Sequence, residues 1–464
     1  MDLFHRKSIE ALLKGTERHA LRKTLGSLDL VLLGIGCIIG TGIFVLTGVA
    51  AARYAGPGVT LSFILSGLAC AFAAMAYAEL AAMIPAAGSA YTFAYASIGR
   101  IGAFAVGWAL ICEYTVGAAA VAAGWSGYAV GLLKTMGVDL PHAWTAVPAD
   151  GGLINLPAVL IVVFLTYLLV IGSKESAKFN RILVFIKLGC VGLFLLLAGP
   201  HVSPANWQPF LPFGFSGVAT GAAIVFFAYI GFDAVSTAAE ECKNPNRDIP
   251  IGIVGSLVIC TLLYIAVAAV LTGVVPYSLL NNSEPVAFAL RSIGLNFGSA
   301  LVAVGAICGI TTVLLVMMFG QTRVALAMSR DGMIPKALLK IHPEYGTPDK
   351  ITILTGIIVS VLSGLLPINV IAELCNMGTL FAFCIVSIGV LVLRKREPHV
   401  ERPFRCPCVH VVAPLGVFFC GFLILQLPVN TLAFFALWYA LGMIVYFTYS
   451  RHSIRLAEEA DARR

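Results

Sequence analysis

Apolar residues in this chain do not alternate with polar ones; they come in blocks. From about Leu28 to Tyr449 the blocks recur between short polar segments. Most are long enough, at about 18 residues or more, to cross a bilayer as a helix. They predict about twelve spans: 28–50, 58–84, 101–131, 153–173, 180–199, 217–240, 250–275, 298–328, 351–367, 370–393, 410–428 and 431–450. Only Pro367 and its neighbours separate the ninth from the tenth, so one broken element is an alternative there. A polar, basic stretch, 1–27, precedes the first block and reads as a cytosolic arm without a cleavable leader. Residues 451–464 read as a cytosolic tail.

Composition agrees. The 464 residues are 59% hydrophobic and 11% charged, against about 25% charged in soluble domains. Mean hydropathy is +0.94. The chain reads as an all-α polytopic membrane protein.

Charge then gives an orientation. Of the 30 Lys and Arg residues, 26 fall on the side of the N-terminal arm, and Arg53, Lys134 and Arg291 fall on the other. Basic loops stay in the cytosol, so both termini are expected there, in the cell membrane. The net charge of +7 then reports topology and contact with anionic lipids, not nucleic acid.

Several chemistries drop out. No GxxxxGK[ST] and no HExxH occurs, and Gly34, Gly36 and Gly40 miss GxGxxG by one residue. The twelve cysteines fall mostly within spans, as small buried residues do. Cys406 and Cys408 sit in a predicted cytosolic loop, where a disulfide is not expected. No histidine lies deep in a span, so no intramembrane metal or catalytic centre is expected; the chain does not read as an enzyme.

The costly residues carry the information. A charge near the centre of a spanning helix costs about 2.5–3.5 kcal/mol on insertion scales. Span 3 nevertheless keeps Glu113, span 5 Lys187 and span 6 Asp233, while Glu79 and Glu240 lie toward the cytosolic ends. Span 1 contains "GIGCIIGTGIFVLTG", with five glycines, and span 6 "FFAYIGFDAV". Each glycine in a helix interior costs about 1 kcal/mol relative to alanine. Close helix packing accounts for some of them, as at Gly34, Gly56 and Gly58. A break in the helix accounts for the Gly36–Gly42 cluster. Unwound backbone is tolerated at membrane depth only where it lines a cavity. There a half-helix N-terminus attracts a carboxylate and freed carbonyls attract an ammonium. Breaks in the first and sixth spans suggest two five-helix halves around one site, although the two motifs share little sequence beyond a glycine.

These motifs, with "AYAELAAMIPAAGSAYTFAY", "AAEECKNPNRDIPIGI" and "MSRDGMIP…HPEYGTP", resemble the amino acid–polyamine–organocation superfamily over about residues 25–450, and within it the cationic amino acid transporter group. With about twelve spans the chain looks like a bacterial member. The resemblance implies a LeuT-type 5+5 inverted-repeat fold with 12 transmembrane helices, helices 1 and 6 interrupted. The repeats would be 28–199 and 217–393, with 410–450 added.

It also implies site residues. The substrate α-carboxylate would meet N–H groups and the hydroxyl around Thr41 and Gly42. The α-ammonium would meet carbonyls of Ile38, Phe227 and Ile230, with Phe227 as an aromatic lid. Lys187 matches the lysine of proton-coupled relatives, which stands where others hold sodium. Met317 replaces a small serine and would shorten the side-chain pocket.

Each residue has a plainer reading as well. Lys187 lies six residues beyond Arg181, about 9 Å deeper, and could snorkel to the surface. Glu113 could pair with a cationic substrate or with Lys187, or accept a local hydrogen bond. Asp233 could cap the half-helix after the break. Glu79 and Glu240 suit structural or gating ion pairs, and Met317 could simply fill a gap.

The reading is a proton-coupled symporter of L-amino acids working by alternating access. Small-to-medium neutral substrates are favoured, cationic ones are possible, and arginine is disfavoured. An exchanger of amino acids or polyamines without net proton movement is the alternative. No cofactor is expected, the proton rather than sodium being the coupling ion. Partners are the amino acid and membrane lipids, with no nucleic acid; accessory subunits cannot be read from the chain. One charge moved through 100 mV supplies about 2.3 kcal/mol, roughly fortyfold accumulation.

Overall fold

The chain's longest apolar blocks become helices whose ends carry recognisable stop and start chemistry. The computed structural model describes residues 5–7, 9, 25–85, 89–171, 177–238, 242–339 and 341–454. Glu240, most of the N-terminal arm and the end of the C-terminal tail lie outside the described residues.

The principal helices are α1 (Ser27–Ile38), α2 (Val59–Met83), α3 (Ser89–Ser97), α4 (Arg100–Thr135), α5 (Leu156–Ile171), α6 (Ala177–Ala198), α7 (Gly214–Val225), α8 (Pro245–Val274), α9 (Pro285–Ser292), α10 (Asn296–Arg330), α11 (Asp349–Leu365), α12 (Ile368–Arg396), α13 (Val409–Gln426) and α14 (Val429–Val445). Nine stretches among the described residues are long and apolar enough to cross a membrane. Two more, Ser27–Ile38 and Leu156–Ile171, are apolar but shorter. The pair around Pro367 is two helices: Leu366 is extended and Pro367 opens α12. Helices α3 and α9 fall in segments read above as loops; at nine and eight residues they are too short to show as apolar blocks.

Local chemistry sets the ends. Pro245 starts α8, where a missing N–H costs nothing, and the Asp248 carboxylate accepts the Asn244 N–H at 3.3 Å. Arg394, Lys395 and Arg396 close α12, where cations complement the helix dipole.

Helix α4 is the hub and packs along both α10 and α12. Its middle reads "VGAAAVAAGWSG", and such small side chains let neighbouring backbones approach. Large apolar side chains point outward instead: Leu160, Phe164, Leu196, Phe215, Leu425 and Leu437 are all more than half exposed. In water that surface would drive aggregation; against hydrocarbon it is at home.

The end of the bundle that carries the basic loops is tied by ion pairs. Glu79, 1% exposed, accepts Arg394 Nε at 2.9 Å, Arg394 Nη2 at 2.6 Å and the Cys406 N–H at 2.7 Å. Arg402 Nε lies 3.4 Å from the same carboxylate. Asp29 on α1 pairs with Arg181 on α6. Lys7 reaches Asp331 at 2.6 Å and lies over the Tyr95 ring, and the Tyr91 hydroxyl donates to the other Asp331 oxygen at 2.6 Å.

Candidate functional site

Both glycine-rich motifs break their helices. Helix α1 stops at Ile38, Ile39 is extended (φ −73°, ψ 105°), and the chain re-enters helix at Gly42–Leu46. Helix α7 stops at Val225 and tightens into a 3₁₀ turn over Phe226–Tyr229. Ile230 is extended, Gly231 has φ +114°, and helix returns at Ala234–Thr237.

The two breaks touch through backbone. A Cβ on Gly42 would lie 2.3 Å from Ala228 Cα, and one on Gly231 would lie 2.9 Å from the Cys37 carbonyl oxygen. Glycine at both crossings is what allows the contact. Gly34 instead packs against Ser256, where a Cβ would be 2.4 Å from the hydroxyl oxygen.

A broken helix leaves carbonyls without an intrahelical donor, and three side chains take them up. Lys187 Nζ on α6 donates to Gly36 O at 2.5 Å. The Tyr264 hydroxyl on α8 lies 3.0 Å from Ile38 O and 2.8 Å from Ala228 O, so it holds the breaks together. With one proton, it donates to one of them at a time. Asn376 Nδ2 on α12 donates to Ala223 O at 2.7 Å and reaches Ile224 O at 3.2 Å. Sequence reasoning missed Tyr264 and Asn376. A lone tyrosine or asparagine in an apolar block gives no spacing signal; its polarity inside a span was the only clue.

Lys187 is fully buried, so it does not snorkel to the surface. Thr41 is buried against Gly124 of α4, and its hydroxyl donates to Val121 O at 3.4 Å. Ile38 O already meets Tyr264, and Phe227 O accepts the Ile230 N–H at 3.3 Å. Each carbonyl keeps a second lone pair for another donor. Phe227 and Ile230 are buried within the second break.

Glu113 is 1% exposed, and its Oε2 has no hydrogen-bond partner among the described residues. Its backbone carbonyl accepts the Cys375 thiol at 3.3 Å. Asp233 is 2% exposed and accepts the Tyr114 hydroxyl at 3.3 Å; Tyr114 was not anticipated, although it adjoins Glu113. Met317 on α10 fills the space opposite Gly117, where a Cβ would lie 3.0 Å from its sulfur and 2.9 Å from that of Cys375. Val313, one turn earlier, packs on Gly40 in the first break. Met317 therefore sits one helical turn from the break, beside the residues that flank Glu113.

Away from the basic loops, Arg53 Nε donates to Asn281 Oδ1 at 3.1 Å. Ser283 and Glu284 press on Gly127 and Gly131 of α4. Glu284 pairs with Arg291 at 2.5 Å. Burial pushes its carboxyl above the usual range, while the Arg291 guanidinium opposes the shift.

A buried break shared by two helices, lined by carbonyls that each keep a lone pair and reached by one ammonium, suits recognition of a small zwitterion. The amino acid permease family profile matches residues 25–449. The chain belongs to this family, within the amino acid–polyamine–organocation superfamily. Its sequence is 49% identical to a branched-chain amino acid permease of Bacillus subtilis over 460 residues, covering 98% of this chain and 99% of that one. It is 47% identical to a methylthioribose transporter of the same organism over 455 residues, 97% of this chain and 99% of the relative. It is 41% identical to a chloroplastic cationic amino acid transporter of Arabidopsis thaliana over 398 residues, 84% of this chain and 70% of the relative. The permease is thus a multi-pass amino acid transporter rather than an enzyme.

Proposed function

We propose that this permease is a proton-coupled symporter that accumulates L-amino acids by alternating access, in the LeuT-type twelve-span arrangement with both termini in the cytosol. The observation that carries the reading is the buried Lys187 ammonium on the Gly36 carbonyl at the end of α1. Charged, it ties α6 to the broken helix. Neutral, it releases α1 to move against α6. Proton binding and the helix that handles substrate then share one hydrogen bond.

The substrate would lie across the breaks. Its carboxylate would face the N–H groups that open the helix at Gly42, and its ammonium the free lone pairs of Ile38, Phe227 and Ile230. Met317 limits the side chain. The name of the 49% identical relative supports branched-chain and other aliphatic neutral substrates. Glu113 and Asp233, both buried, with Glu113 Oε2 lacking a hydrogen-bond partner among the described residues, would be the acceptors for a cationic group.

The test is uptake of a panel of radiolabelled amino acids into proteoliposomes, with and without an imposed pH gradient. Neutral aliphatic substrates are expected to accumulate only with the gradient. Uptake that ignores the gradient and needs amino acid already inside identifies an exchanger instead.

A further inference from the structure

A cavity separate from the substrate site opens at the end of the bundle remote from the basic loops. It lies between the last turns of α4, the short helix His142–Thr145 and the start of α5, and encloses about 400 Å³. Trp125, Ala129 and Leu133 form one wall, Trp144 a second, and Leu156 and Leu160 a third. Residues 125, 129 and 133 recur every four positions and share one helix face. No charged side chain lines the space, so water finds little to bind there.

The surroundings say what fills it. Leu160 is 59% exposed, and Val163, Phe164 and Tyr167 continue the apolar surface along α5. In a membrane that surface meets hydrocarbon, so the mouth opens into acyl chains. Tryptophans belong at the level where chains meet headgroups, and Trp144, beyond the end of α4, borders the cavity there, while Trp125 lines its deeper end beside the break. Lys134 follows the cavity residue Val130 by one turn on the same face and is exposed. It forms no ion pair among the described residues, and the acidic group that feels its charge, Glu284, is already paired with Arg291. Its charge sits where a phosphate would.

We propose that the cavity holds one acyl chain of a phospholipid from the adjacent leaflet, with the lipid phosphate against Lys134. The lipid is a positioning ligand. Trp125 Nε1 donates to Thr311 Oγ1 on α10 at 2.9 Å, and Thr311 lies two residues before Val313, which packs on the first break. Gly124, next to Trp125, packs on Thr41 in that break. A chain pressed on Trp125 therefore bears on both elements that flank the break.

The full chain is reconstituted in nanodiscs of phosphatidylglycerol, with a rising fraction carrying dibrominated acyl chains that quench indole fluorescence on contact. The difference in emission between wild type and Trp125→Phe reports Trp125. That difference is expected to vanish at low bromolipid fraction and to saturate. Ala129→Phe, which fills the cavity, should restore it, and Lys134→Gln should shift saturation to higher bromolipid fraction. Quenching that grows only in proportion to bromolipid would mean ordinary annular contact and overturn the site. So would a Trp125 signal untouched by bromolipid. An unchanged curve for Lys134→Gln overturns the phosphate contact. Native mass spectrometry gives a second readout: one phospholipid retained by wild type and lost in Ala129→Phe. Retention of detergent or a neutral sterol-like molecule instead overturns the phospholipid assignment.

Discussion

Lys187 Nζ lies 2.5 Å from the carbonyl oxygen of Gly36, inside the protein and out of reach of solvent. The carbonyl is available because α1 stops two residues later. A hydrogen bond to a charged donor is worth about 1.5–3 kcal/mol, enough to bias two arrangements of α1 by roughly ten- to a hundredfold. Lys187→Ala removes the bond together with the proton that makes it. The variant is expected to lose accumulation driven by a pH gradient while still catalysing counterflow of labelled substrate. Gradient-driven accumulation that survives the substitution would remove Lys187 from coupling.

Tyr264→Phe tests the tie between the two breaks. The ring packs on Phe63 and Tyr229, each with centroids 5.4 Å away, and phenylalanine keeps that packing. Only the hydroxyl shared by Ile38 O and Ala228 O is lost. Leaving a buried acceptor unsatisfied costs about 1–3 kcal/mol. A lower unfolding temperature in detergent and a slower initial uptake rate are expected together. If both stay at wild-type values, the hydroxyl is not what holds the breaks in register.

Met317→Ser should widen the side-chain pocket. The methionine sulfur occupies the space that Gly117 leaves beside Cys375, and serine vacates most of it. Arginine is expected to compete with labelled neutral substrate several-fold better in the variant, at a stability loss of about 2–5 kcal/mol for the cavity created. Competition by arginine that does not change would mean another residue sets the size limit.

The two cysteines of the loop after α12 should differ in reactivity. Cys408 is exposed, whereas Cys406 is 2% exposed beside Glu79. Burial pushes the Cys406 thiol up to about 11, with the Glu79 carboxylate adding to the shift. A raised value means less thiolate: roughly one part in ten thousand at pH 7. Maleimide at pH 7 is therefore expected to label Cys408 well ahead of Cys406 in peptide mapping, and Cys406 should gain only as pH climbs toward 11. Equal labelling at pH 7 would contradict the buried position of Cys406.

Much of the site was visible before the fold because a membrane makes polarity expensive. Glu113, Lys187 and Asp233 stood out as charges inside apolar blocks, and the glycines of both motifs stood out as weak helix. The structure puts breaks at both motifs, and the Lys187 ammonium meets the first of them. Glu79, set apart as an ion-pair residue, lies in a cluster with Arg394 and Arg402. What each polar group touches was not visible. Thr41, read as a carboxylate ligand, has its hydroxyl turned to Val121 O. Tyr264 and Asn376 hold the breaks from helices far along the chain, at distances that no local pattern encodes.

The amino-acid order alone determined that the chain is helical and apolar-faced, where its longest helices run, and that two of them contain weak backbone. Those properties depend on composition and near neighbours in sequence. Which breaks meet, which carbonyl receives the ammonium, and how close Met317 comes to the pocket were decided only when the helices packed. They depend on backbone packing so closely on backbone, at Gly42 on Ala228 and Gly231 on Cys37, that no Cβ fits between them, and only the assembled bundle sets such separations.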